Sequence, residues 1–168
     1  VHLQPVDVQQ LLADLSMRFE SVAQAKSLSL RTRAPPVTIW ADPVVLRRIL
    51  GNLVSNALRH TPQGGVLIAL RQHDGLLVFE VWDTGVGIAP EHQQAIFQEF
   101  FRISQHQGTE DSLGLGLTIV SKLSRCLGYQ LALHSVLGRG SVFRVTLPAL
   151  TQTQADKAPK DTLIQSPT

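Results

Sequence analysis

The chain has 168 residues, 15 Lys and Arg against 13 Asp and Glu, 43% hydrophobic residues, 12 glycines and one cysteine. That length suits one domain, which buries roughly 70% of the surface its unfolded chain exposes; the lone Cys126 excludes a disulfide framework and a cysteine-built metal site. The net charge of +2 is spread along the chain without a basic stripe for nucleic acid, no apolar run nears the ~20 residues of a membrane span, and the start has no leader-like pattern, so the sequence reads as soluble and cytoplasmic.

In chain order, Leu11, Leu12, Leu15, Phe19, Val22 and Ala23 recur at helical spacing and predict a helix over 6–26, with Asp7 at its start. Leu28 to Thr32 alternates as a short strand, Pro35-Pro36 interrupts, and Val37 to Trp40 resumes as a second strand. Asp42-Pro43 is a strong helix start, an acceptor cap followed by proline. The helix it opens carries Leu46, Ile49, Leu50, Leu53, Val54, Ala57 and Leu58 on one face and stops at Thr61-Pro62. Strands over 66–72 and 76–82 are expected to form a hairpin across Asp74-Gly75. A short helix begins at Pro90, residues 103–113 read as a mobile polar loop, and a second amphipathic helix runs from Gly116 to Leu127. Two closing strands, 129–135 and 141–147, flank Gly138-Arg139-Gly140. Composition after Thr151 predicts a disordered tail or linker, so the domain is expected over 1–149 and the tail over 150–168. The pattern implies a two-layer α/β domain, a mixed or antiparallel sheet covered by helices. Cys126 reads as a small core residue, and Trp40 and Trp82 as packed strand residues.

Six of the 12 glycines form three Gly-x-Gly pairs, Gly85/Gly87, Gly114/Gly116 and Gly138/Gly140, all at junctions between elements. Three such pairs suggest backbone wrapped around a ligand. No lysine follows a glycine, which excludes the common phosphate loop, and Pro90 stands where the dinucleotide pattern needs its third glycine. Asp83 closes a greasy strand just before the first pair. It can accept a hydrogen bond from the exocyclic amine of adenine, or cap its own loop as an Asx turn. Asn52 and Asn56 sit one helical turn apart on an otherwise apolar face. Their carboxamides suit Mg²⁺ that also takes phosphate oxygens, or bonds to neighbouring backbone. Arg59 and His60 end the same helix, where a cation also favours the dipole.

These residues resemble the ordered boxes of sensor histidine kinases. Asn52-Leu-Val-Ser-Asn56-Ala-Leu-Arg-His-Thr-Pro is similar to the N box, Asp83-Thr-Gly85-Val-Gly87-Ile88 to the G1 box and Ile96-Phe97-Gln-Glu-Phe-Phe101-Arg102 to the F box. Leu113-Gly114-Leu115-Gly116-Leu117 resembles the G2 box, and Gly138-Arg-Gly140-Ser141 the closing glycine box. The resemblance covers residues 1 to about 148 and implies the ATP-binding catalytic domain of a two-component kinase, with the Bergerat fold shared with gyrase, Hsp90 and MutL.

By position, the resemblance makes Asn56 the Mg²⁺ ligand, with Asn52 helping to hold metal and phosphates and Arg59 reaching the phosphates. Asp83 would read the adenine amine, Gly85 and Gly87 would let the base approach with Ile88 beside them, and His60 would pack near it. Phe97, Phe101 and Arg102 would organise a lid that Gly114, Leu115, Gly116 and Leu117 close over the triphosphate, and Ser141 would bond near Asp83. The implied cofactors are ATP and Mg²⁺. The implied partners are an upstream helical dimerisation domain carrying the phospho-acceptor histidine, a response regulator receiver domain, and a second copy in a full-length homodimer. Full-length anchoring in the inner membrane is compatible with this reading.

Hydrolysing relatives carry a glutamate one turn before the metal-binding asparagine; Asn52 stands there, which favours a kinase over an ATPase. None of the six histidines has the acceptor context of a following acid and Arg-Thr-Pro, and Ser112 replaces the lid's first glycine. The alternatives implied are a non-catalytic ATP sensor and an ATPase of the gyrase type.

Overall fold

The computed structural model describes residues 1–98 and 116–149. In chain order these form β1 (Gln4–Asp7), α1 (Val8–Ala25), β2 (Ser29–Arg33), β3 (Thr38–Ala41), α2 (Pro43–Arg59), β4 (Gly65–His73) and β5 (Leu76–Asp83). Two single-turn 3-10 helices, Pro90–His92 and Ala95–Phe97, precede α3 (Gly116–Cys126), β6 (Gln130–Val136) and β7 (Gly140–Thr146). The expected helix at Pro90 is thus two tight turns, too short for an α-helical ladder. The expected loop over 103–113 and tail over 150–168 lie outside the described residues.

Both long helices start where their caps dictate. Asp7 Oδ1 accepts the Gln10 N–H at 3.1 Å, and Asp42 Oδ1 accepts those of Val44 and Val45 at 3.0 and 3.2 Å, with Pro43 in the first turn. Asp42 also accepts the backbone N–H of His2 at 2.8 Å. That bond is the largest of several that hold its carboxyl below the usual range.

Five strands form one mixed sheet in the order β2-β4-β5-β7-β6, antiparallel except for the parallel pair β2–β4. The β4–β5 hairpin turns on Asp74 and Gly75, both at positive φ, as the Asp-Gly signal predicts. The remaining strands, β1 and β3, pair with each other in a separate antiparallel ribbon. The sequence reading missed β1. Its four residues include Pro5, which suits a strand with one partner, and Val6 opposes Ile39, both inside the core.

The pleat sorts the sheet into two unlike faces. Ile68, Leu70, Phe79, Val81, Phe143 and Val145 join one cluster with the apolar faces of α1 and α2 and with Val120 of α3. Each such buried side chain contributes about 1.5–3 kcal/mol. On the opposite face Ala69, Val78 and Val142 lie outside that cluster, beneath longer side chains. Glu80 is only 4% exposed there; it accepts a hydrogen bond from Arg144 Nε at 3.0 Å and forms an ion pair with Arg71 Nε at 2.8 Å. Trp82 of the same face is 37% exposed, with the Arg144 guanidinium 5.4 Å above its ring. Cys126 is exposed, not in the core; Thr118, Val120 and Ser124 set the inward side of α3, and Cys126 follows Ser124 by about 200° of helix.

Candidate nucleotide-binding site

Register decides which way Asp83 points. It is two and four residues from Val81 and Phe79, which face the helices, so its side chain belongs to that face too. Ser141 of β7 lies opposite Asp83, and Ser135 of β6 lies opposite Ser141, giving a polar row at the end of the sheet on the helical side. The two hydroxyls are 2.7 Å apart. Asp83 Oδ1 accepts the Gly85 N–H at 2.9 Å, so the loop-capping alternative holds for that oxygen.

Burial pushes the Asp83 carboxyl above its ordinary pKa, while the backbone N–H groups of Gly85 and Ser141 pull the other way. The folded state therefore binds its proton more tightly than the unfolded chain does. Between the ordinary value of 3.8 and the raised one, stability falls as pH rises. Asp83→Asn removes this titration. Urea unfolding at neutral and mildly acidic pH is expected to show the wild type gaining stability relative to that variant on acidification; a constant difference would refute the shift.

The loop after Asp83 is fastened on two sides. The Val86 N–H donates to the carbonyl of His60, the C-cap of α2, at 3.2 Å. On the other side, Gly138 N–H donates to Val86 O at 2.7 Å and Ile88 N–H to Ser135 Oγ at 2.8 Å. Gln93 Nε2 bridges the carbonyls of Ile88 and Ser135 at 3.0 and 3.3 Å. Sequence reasoning missed Ser135 and Gln93, which belong to no recognisable box.

Asn52, Asn56 and His60 follow one another at four-residue intervals along α2 and its cap, each half-buried. Asn52 Nδ2 donates to Arg48 O at 2.7 Å, and a Cβ on Gly116, the first residue of α3, would lie 3.4 Å from Asn52 Oδ1. One end of this face thus meets α3 and the other the Asp83 loop. Arg59 is exposed, its carbonyl bonded by Lys26 Nζ at 3.2 Å. Lys26, Arg59, His60, Pro62 and Val86 line an open pocket of about 360 Å³ at this end. Lys26 was not singled out in the sequence.

Of the residues expected to organise a lid, Phe97 packs edge-on against Phe143 with ring centroids 6.2 Å apart, and its carbonyl accepts a hydrogen bond from the Thr118 hydroxyl at 3.1 Å. Leu117 and Ile88 pack partly buried against the core. Phe101, Arg102, Ser112, Gly114 and Leu115 lie outside the described residues.

A two-layer fold of this topology, with these boxes around one helix, defines a class. Residues 41–151 match the family of histidine kinase-, DNA gyrase B- and HSP90-like ATPases, and the chain belongs to that family. Its relatives include proteins named as sensor histidine kinases. The sensor histidine kinase RppB of Synechocystis sp. is 34% identical over 142 residues, covering 82% of this chain and 31% of RppB. The aerobic respiration control sensor protein ArcB of Escherichia coli is 36% identical over 152 residues, covering 87% of this chain and 20% of ArcB. The crystal structure of full-length ShkA in complex with AMPPNP is 36% identical with a TM-score of 0.79, covering 88% of this chain and 31% of ShkA. The chain thus spans a third or less of these proteins.

Proposed function

We propose that this chain is the part of a two-component sensor histidine kinase that binds Mg-ATP and presents its γ-phosphoryl group to a histidine on a separate helical dimerisation domain. The observation that carries the reading is the arrangement on α2. The face bearing Asn52, Asn56 and His60 is met at one end by α3 and at the other by the Asp83 loop. A nucleotide along that face would have its base near Asp83 and its phosphates near the asparagines and the N-terminus of α3, a kind of helix end whose N–H groups favour anionic oxygens.

The donor set fits the implied cation. Asn56 supplies a neutral, hard oxygen of the kind Mg²⁺ takes alongside phosphate and water. Bound there, the metal would neutralise phosphate charge. Asp83 would hold the adenine amine, Ser141 and Ser135 would keep Asp83 and its loop in place, and Arg59 and Asn52 would steady the phosphates. Phosphoryl transfer consists mainly of such positioning and charge stabilisation. Asn52 stands where hydrolysing relatives carry glutamate, and its amide is bonded to its own helix, so it offers no base for water. A receiver domain would take the phosphoryl group next, and a second copy would pair through the dimerisation domain. No helix among the described residues is long and apolar enough to cross a membrane.

Calorimetry of ADP and ATP with and without Mg²⁺ tests the reading. The wild type is expected to bind more tightly with Mg²⁺, and Asn56→Ala to lose that difference while retaining metal-free binding. Failure of the wild type to bind either nucleotide overturns the proposal.

A further inference from the structure

The sheet face away from the helices, opposite the one that Asp83 and Ser141 share, carries an ordered group of cations. Pairing across the strands sets Arg31 beside Leu67 and Trp82 in one row, and Arg33 beside Ala69, Glu80 and Arg144 in the next. Arg71 follows Ala69 by two residues on the same face. These four arginines come from three strands and surround a single acid, Glu80. Arg31 and Arg33 are exposed and have no ion-pair partner among the described residues. No helix among the described residues packs on this face.

Two features separate this from an ordinary solvated charge pattern. First, Arg144 hydrogen-bonds Glu80 through Nε and Arg71 pairs with its other oxygen through Nε. Contact through Nε holds each guanidinium beside Glu80 and leaves its terminal nitrogens to face a second carboxylate. Holding the arginines in place beforehand lowers the entropy lost on binding. Second, Arg144 is stacked on Trp82, a half-exposed aromatic. Tryptophan and arginine are among the residues enriched at the energetic hot spots of protein interfaces. Planar forks on rigid strands match carboxylates two-pronged, whereas binding to anionic lipid commonly uses clusters of Lys and Arg on a juxtamembrane segment or amphipathic helix.

We infer that the open face of the five-stranded sheet, centred on Arg71, Glu80, Arg144 and Trp82 and flanked by Arg31 and Arg33, is a docking surface for an acidic polypeptide segment. The surplus of positive charge selects the partner and speeds its approach, and Trp82 supplies the apolar contact.

The test is an NMR titration of the full chain with an oligoglutamate peptide at low salt. Shifts are expected on β4, β5 and β7 and on the Arg71 and Arg144 Nε–H signals, with none from oligolysine. Arg31→Gln with Arg33→Gln should weaken binding by about tenfold, whereas an equal charge change on α3, Lys122→Gln with Arg125→Gln, should not. Both changes are at exposed side chains, and dispersed spectra would verify folding. Equal weakening by the two pairs, shifts confined to other surfaces, or binding to phosphatidylserine vesicles in preference to the peptide would each overturn the inference.

Discussion

Asp83→Asn is expected to weaken ADP binding by about 10- to 100-fold. A hydrogen bond from a neutral donor to a charged acceptor contributes about 1.5–3 kcal/mol, and every 1.4 kcal/mol is tenfold. The side chain faces the helical layer beside Ser141 and carries its charge in a partly desolvated place. Such an acceptor is strong when a donor meets it and costly when none does. Asparagine keeps the size of the side chain and an oxygen that can cap Gly85, so the loop retains its shape while the charge disappears. Calorimetry with ADP measures the loss, and GDP provides the comparison. Guanine presents a carbonyl where adenine presents its amine, so the preference of the wild type for ADP should shrink in the variant. An ADP affinity unchanged by the substitution would remove Asp83 from the site.

Gly87→Ala and Gly140→Ala are each expected to destabilise the domain by about 3 kcal/mol or more, against about 1–2 kcal/mol for Gly75→Ala. All three glycines have positive φ, at 69°, 126° and 76° respectively. Their surroundings differ. A Cβ on Gly87 would stand 2.1 Å from the carbonyl oxygen of Val136, and one on Gly140 would stand 2.1 Å from that of Asp83. Nothing lies within 4 Å of a Cβ on Gly75, so that variant bears only the conformational strain. Backbone cannot move aside as a side chain can, and here it belongs to the last residues of β6 and β5, Val136 and Asp83 itself. Urea midpoints of the three variants decide the matter. Equal costs for all three would mean that close approach of the loops contributes nothing. Nucleotide affinity should fall with stability for Gly87 and Gly140 and stay unchanged for Gly75.

Much of the fold was legible because its signals are local. Asp42-Pro43 starts α2, Asp74-Gly75 turns the hairpin, and the apolar spacing of α1 and α2 marks their buried faces, except that Val22 is exposed. What escaped depends on partners distant in sequence. β1 is a strand only because β3, more than thirty residues later, supplies its hydrogen bonds. Cys126 looked inward by helical spacing, but the phase of α3 is set by Thr118, Val120 and Ser124. For the site, Asp83, Asn52 and Asn56 stood out because their residue types are unusual for their positions. Ser135 did not, because a serine in a strand looks ordinary until pairing sets it beside Ser141. The outward arginines were hidden in the same way. Read along the chain they are scattered and make no basic stripe; the sheet gathers them onto one face.

The ribbon formed by β1 and β3 bears on where this unit begins. The shared family signature starts at residue 41, yet Val6, Val8, Leu11, Leu12 and Leu15 all lie in the common core before it, and His2 is bonded to the cap of α2. Trimming the polypeptide to that signature would strip away α1, the edge strand β2, all of β1 and all but the last residue of β3, leaving the hydrophobic flank of α2 wet. The family signature is therefore shorter than the stretch a ribosome must finish before the candidate pocket, whose lining includes Lys26, has its walls.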